Sequence, residues 1–255
     1  MSDARLTVEG TGPVATVVIS NPTRRNAMTP DMWRGLPPLL DQLEADPAIR
    51  VLVLTGAGET FCAGADLGDL DELLAAGDHS VAVAAEERLA AFAKPTVAAV
   101  RGACVGGGCQ LAVACDLRIA AADARFGVPP ARLGVVYPTP TTRRLAALVG
   151  PATAKYLIFT GELVDAERAE RVGLVDEVVP ADRLTERITG LTGTIALRSQ
   201  LSVVAAKGIV DGRADAAQVA WWHRQALASG EAGEGVAAFH ERRPAHFTWT
   251  IPPTG

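Results

Sequence analysis

The chain has 255 residues, 49% of them hydrophobic and 21% charged, with a formal net charge of −5. That length suits one large domain, or one domain with a small appendage, and the apolar share supports a sizeable core rather than wholesale disorder. The negative balance argues against a nucleic-acid binder held mainly by phosphate contacts, while leaving room for a local basic pocket.

In chain order, residues 5–20 alternate and end in the strand-like VATVVIS, which Asn21-Pro22 breaks. Thr29 followed by Pro30 predicts a helix start, and Pro37-Pro38 predicts a kink or break in that helix. IRVLVLTG (49–56), TVAAVRG (96–102) and LRIAA (117–121) read as buried strands, with helical segments at about 80–93 and 108–115. Strands alternating with helices predict an α/β fold with largely parallel pairing. The long acidic loop at 61–80 is of a kind that often carries function. Beyond residue 140 the pattern is mostly helical, at 140–149, 151–160, 165–172, 180–196, 199–212 and 214–229, interrupted by the strand GLVDEVV (173–179). The expected organisation is a core over 1–195 and a helical C-terminal region over 196–255.

Cys62, Cys104, Cys109 and Cys115 form no CxxC pair and have no His nearby, so no metal site is expected. With no signal peptide evident, and no apolar run near the roughly 18 residues that span a bilayer, reduced core cysteines in a cytoplasmic protein are expected.

Two Gly-rich strand exits, at 54–66 and 100–110, are where chemistry can sit. In the second a helix begins near Gly107, and the free N–H groups of a first helical turn favour an anion. Two such exits facing each other supply two N–H donors to one oxygen, an oxyanion hole; the alternative is a pair of ordinary tight turns. Nucleotide signatures fail. Gly56-Ala57-Gly58 meets Phe61, and Gly106 and Gly108 meet Leu111, where GxGxxG needs its third glycine. GK[ST] and GxSxG are absent from both exits.

LTGAGETFCAGADL (54–67) and VRGACVGGGCQLAVACDLRIAAADARFGVP (100–129) resemble the enoyl-CoA hydratase/isomerase (crotonase) family. RRNAMTPDM (24–32), GLVDEVV (173–179) and FHERRPAHF (239–247) match in order, so the resemblance covers nearly the whole chain. It implies a crotonase-like spiral of ββα repeats followed by a helical C-terminal region that serves in oligomerisation and in covering the CoA site. It also implies a homotrimer or hexamer and an acyl-CoA substrate of fatty acid metabolism. No separate cofactor and no membrane or nucleic-acid partner is implied; coenzyme A arrives as part of the substrate. Matched motif by motif, the backbone N–H groups of Ala65 and Gly107 are the oxyanion donors. The substrate and CoA contacts fall on Arg24, Arg25, Ala27, Ala63, Asp66, Leu67, Gly106, Pro130, Leu133 and Arg242.

The chain also leaves the family pattern. The two glutamates that hydratases of the family use fall at Gln110 and Pro130. Gln can hold a water by hydrogen bonding but cannot take its proton, and Pro does neither, so ordinary hydration is not expected; isomerases of the family generally keep the second carboxylate, so double-bond migration by the usual residue is not expected either. Tyr137, in RLGVVYPTPTTRRL (132–145), is a remaining acid–base candidate. A decarboxylase branch of the family is similar there, although it has His where this chain has Ala65. Three readings follow: an enzyme with an altered acid–base set, of the lyase or isomerase type; a non-catalytic acyl-CoA binder; and a decarboxylase using Tyr137. Asp66 and Asp116 are expected to brace backbone. Asp69, Asp71 and Glu72 read as surface-loop acids, Asp69 being able to reach an acyl pocket. His79, His240 and His246 match no catalytic position, nor does His223, which is expected to pack beside Trp221 and Trp222.

Overall fold

A computed structural model of the chain describes residues 4–10, 12–66, 68 and 76–252. Strands β1 (Arg5–Glu9) and β2 (Val14–Ser20) form an antiparallel hairpin. From β2 the main sheet continues in parallel through β3 (Val51–Gly56), β4 (Thr96–Val100) and β6 (Leu117–Ala121) to β9 (Glu177–Val179). The strands between the ends are buried on both faces, which is why they read as continuous apolar runs rather than alternating ones.

A second, three-stranded sheet holds β5 (Ala103–Val105), β7 (Arg125–Gly127) and β8 (Val164–Asp165). It repeats one unit: a main-sheet strand, a short strand in the second layer, then a helix. β4 leads through β5 into helix α3 (Gly107–Ala114), and β6 leads through β7 into α4 (Pro130–Leu133). The Cys62 backbone pairs in parallel with that of Cys104 in the same second layer, one turn of the spiral earlier; both thiols are free.

Helix α1 (Pro30–Ala45) and helix α2 (Val81–Ala90) lie over the sheet. Thr29 caps α1, its hydroxyl accepting from the Met32 N–H at 3.3 Å, and Ser80 caps α2 through the Val83 N–H. The expected break at Pro37-Pro38 does not occur: α1 runs from Pro30 to Ala45 with both prolines inside it. Each proline removes one backbone N–H donor from the helix ladder. The helix persists because Trp33, Leu36, Leu40 and Leu43 form one buried stripe whose packing outweighs that loss.

Helix α5 (Thr139–Thr160) is interrupted at Gly150 (φ 77°, ψ 157°), dividing it where the sequence predicts two helices. Helix α6 (Ala166–Arg171) precedes β9, and α7 (Leu184–Ala196) covers the main sheet from the other side, packing on Val51, Val97 and Ile119. Helices α8 (Gln200–Val210), α9 (Ala216–Ala228) and α10 (Glu231–Glu241) end the chain with a small cluster of their own around Leu201, Val204 and Trp222. His223 is exposed on α9 rather than packed beside the tryptophans.

Asp116 braces strand ends as expected. Its carboxylate accepts from the Thr96 N–H at 2.7 Å, its own N–H reaches the Thr96 hydroxyl at 2.8 Å, and Lys207 on α8 pairs with it at 2.8 Å. Among the described residues no helix is long and apolar enough to cross a membrane, and no His, Cys, Asp and Glu cluster that could hold a metal is present.

Candidate active site

The two Gly-rich exits do face each other. The segment 62–66 is held on both sides. The Cys62 N–H donates to the Ala103 carbonyl and the Val105 N–H to the Cys62 carbonyl. The Ala63 N–H reaches Arg25, the Met28 N–H reaches Gly64, and the Asp66 N–H reaches Met28. Within this lattice the Ala65 N–H has no acceptor among the described residues.

Across from it, Gly106 adopts φ 59° and ψ −127°, which glycine reaches without strain. Its N–H donates to the Gly127 carbonyl at 2.8 Å, and the next residue, Gly107, opens helix α3 with its N–H unsatisfied. A Cβ on Gly107 would lie 3.7 Å from the Ala65 nitrogen and 3.1 Å from Cζ2 of Trp33. A Cβ on Gly64 would lie 3.0 Å from the Val105 carbonyl oxygen and 3.6 Å from the Gly107 nitrogen. Only small residues allow these two backbones so close.

The strained turn before Met28 is fixed by its own side chains. Arg25 and Asn26 hold left-handed φ of 49° and 58°. The Asn26 amide donates to the Ala57 and Thr60 carbonyls at 2.9 and 2.6 Å, and its Oδ1 accepts from the Asn21 N–H. This ties the turn to the end of β3 and sets the Arg25 carbonyl that holds Ala63.

A cavity of about 230 Å³ opens at this junction. Of the residues singled out from sequence, Ala63, Ala65, Gly106, Gly107, Gln110, Leu133 and Tyr137 line it together. Pro130 is buried at the first position of α4 and does not itself line the cavity; Pro129 does. Ala27 is buried, its carbonyl accepting from the Asn21 amide. Asp66 braces its loop by accepting from the Gly68 N–H at 3.1 Å, with the exposed Arg24 at 3.9 Å. Arg25, next in the chain, is also exposed. Arg242, exposed and left-handed at the end of α10, does not line the cavity. Leu67, Asp69, Asp71 and Glu72 lie outside the described residues.

Two polar-bearing side chains of the wall, Trp33 and Glu86, are among the lining residues that the sequence does not single out. Trp33 comes from α1 and Glu86 from α2. Glu86 stands three residues after Val83 and three before Leu89, on the buried stripe of its helix. An acid in the middle of an apolar stripe was the available signal. Among the described lining residues it is the only carboxyl group.

The cavity wall is rich in unsatisfied polar atoms. Trp33 Nε1, Glu86 Oε2 and both amide atoms of Gln110 are buried without a hydrogen-bond partner. Each such group costs about 1–3 kcal/mol unless something in the cavity meets it, so their concentration here marks a place for a ligand. Burial pushes the Glu86 carboxyl from its ordinary value of 4.5 up to about 8, against the pull of Arg144. Burial also raises the Tyr137 phenol, with Cys109 and Glu86 adding to the rise, so the phenol stays a proton donor near neutrality. Burial likewise drives Cys62 and Cys115 to about 12, leaving both as inert core thiols.

The family model described as enoyl-CoA hydratase/isomerase matches residues 9–250. The chain is 33% identical to the crotonyl-CoA hydratase of Syntrophomonas wolfei, over 97% of this chain and 99% of that one. Among solved structures, it superposes on an enoyl-CoA hydratase/isomerase family member with a TM-score of 0.92, at 40% identity over 98% of both chains. An enoyl-CoA hydratase/carnithine racemase from Magnetospirillum magneticum gives a TM-score of 0.89, at 32% identity over 95% of each.

Proposed function

The chain belongs to the enoyl-CoA hydratase/isomerase family, and from that premise we propose that it binds an acyl-CoA thioester and stabilises an enolate-like intermediate. The observation that carries this reading is the meeting of the free Ala65 and Gly107 N–H groups at the cavity wall. Enolisation places negative charge on the thioester oxygen. Two prealigned dipoles beside an apolar cavity stabilise that charge more than they stabilise the neutral carbonyl, which lowers the barrier by several kcal/mol.

The cavity takes the acyl group and thioester, and the nucleotide part lies outside it. Arg24, exposed at 3.9 Å from Asp66, and the exposed Arg25 are the cations that meet its phosphates in this reading. The protein acts as a homotrimer or a dimer of trimers, in which the exposed Val210, Leu227 and Phe239 of the C-terminal helices become covered. Ordinary hydration is not the reaction, because Gln110 and Pro130 stand where hydratases keep their two carboxylates. Calorimetric titration with a series of acyl-CoAs and free CoA tests the binding claim: acyl-CoAs bind in the micromolar range, and heatless titrations throughout would remove it.

A second reading, decarboxylation, is favoured by Tyr137. Its hydroxyl sits 3.2 Å from the position a Cβ of Gly106 would take, beside the oxyanion loop, with no partner among the described residues. There it can hydrogen-bond a substrate carboxylate or protonate the enolate left by loss of CO2. Release of CO2 from malonyl-type thioesters, lost in Tyr137→Phe, supports this reading; no release refutes it.

A further inference from the structure

We propose that Glu86 is the catalytic proton carrier of this site and that it moves the double bond of an enoyl thioester, an isomerisation that needs neither of the replaced carboxylates. The inference rests on the thioester-binding reading above. It begins from position: Glu86 is the only carboxyl among the described lining residues, is nine-tenths buried or more, and has an oxygen without a partner. A buried acid with an unpaired oxygen is costly to keep, which a proton-transfer role explains and a packing role does not.

The surroundings suit a single shuttling acid. From α3, Gln110 presents its unpaired amide and Cys109 its thiol. Tyr137 lies before α5, and Arg144 on α5 is held by Glu87, the neighbour of Glu86 on α2. Arg144 makes ionisation possible while burial resists it, so the proton is taken and released near neutral pH, where general acid–base transfer works best.

The step balances without water, oxidant or a second base. The Glu86 carboxylate takes a proton from the α-carbon of a 3-enoyl thioester. The C–H electron pair becomes the enolate double bond, and the carbonyl π pair moves to the oxygen held by Ala65 and Gly107. When that pair returns, the double-bond electrons shift outward and the γ-carbon takes the proton back from Glu86. The product is the conjugated 2-enoyl thioester. Gln110 is suited to this chemistry because it is neutral: it does not compete for the proton, and it lines the path with hydrogen-bonding groups.

The test uses the full-length protein and a 3-enoyl-CoA such as 3-hexenoyl-CoA, in H2O and in D2O. Conjugation is followed by absorbance and deuterium uptake by mass spectrometry, with affinity measured on the same samples. Wild type forms the 2-enoyl product, with a rate that rises with pH through about 8. Glu86→Gln binds with unchanged affinity and turns over at least about 100-fold more slowly. If Glu86→Gln does not fold, Glu86→Asp serves, binding normally with a reduced rate. Full activity in either folded variant overturns the role of Glu86. So does a wild type that binds but neither isomerises the substrate nor exchanges its α-proton. A wild type that binds no acyl-CoA fails the earlier reading instead, so the two failures are told apart.

Discussion

The Ala65 nitrogen lies 3.7 Å from the point a Cβ on Gly107 would occupy, so two strand exits about forty residues apart in sequence converge on a gap one small group wide. That convergence is what an added methyl group can test. In Gly107→Ala the new Cβ meets Trp33 at 3.1 Å, and Trp33 is fully buried and has little room to give. The variant folds, but it shifts the carbonyl seat and lowers turnover roughly 10- to 100-fold. In Gly108→Ala, one residue on, the Cβ would lie 2.3 Å from the Cys62 carbonyl oxygen. That change costs stability instead, about 3 kcal/mol or more. Turnover and thermal unfolding, measured side by side, separate the two.

The buried carboxyl of Glu86 makes stability depend on pH. In the folded chain it holds its proton up to about 8, and in the unfolded chain only to its ordinary 4.5. Between those values the folded state binds more protons, so stability falls as pH rises through that window and levels off above it. Glu86→Gln removes this part of the slope and leaves the protein more stable than wild type at the alkaline end. Urea midpoints taken across the window check the sign.

Asp116 is predicted to matter for folding and not for chemistry. It joins β4, β6 and the C-terminal helix α8 through Thr96 and Lys207. Asp116→Ala leaves Lys207, only 10% exposed, without its charge partner and costs about 2–3 kcal/mol. Thermal melting reports the loss, and kcat measured below the melting transition stays at the wild-type level.

Hydration of crotonyl-CoA is the activity the altered residues argue against. Wild type is expected to hydrate it at least about 100-fold more slowly than the Syntrophomonas wolfei crotonyl-CoA hydratase under matched conditions. Loss of the conjugated-thioester absorbance at comparable rates would mean that Gln110 and Pro130 have been matched to the wrong positions.

What was legible in the sequence follows from how local each cause is. The start of α3 at Gly107 and the break at Gly150 are set by neighbouring glycines, and both were readable. Strands β5, β7 and β8 are two or three residues long and pair across crossovers, so no local pattern announces them. Pro37 and Pro38 misled because local propensity was outweighed by a buried stripe formed with distant parts of the chain. The proposed donor pair Ala65 and Gly107 comes from motifs, since a backbone N–H leaves no side-chain trace. Glu86 was missed for the opposite reason: it belongs to no motif, and only the fold brings α2 against the Gly-rich loops.

The most direct test of the central claim reads the thioester carbonyl itself. Isotope-edited infrared spectra of an acyl-CoA carrying a 13C label at the thioester carbon are compared free and bound. Two N–H donors from Ala65 and Gly107 polarise the carbonyl, so its stretch moves to clearly lower frequency on binding, and Gly107→Ala reduces the shift. A bound thioester whose carbonyl frequency matches that of the free ligand in water, or lies above it, would contradict the account.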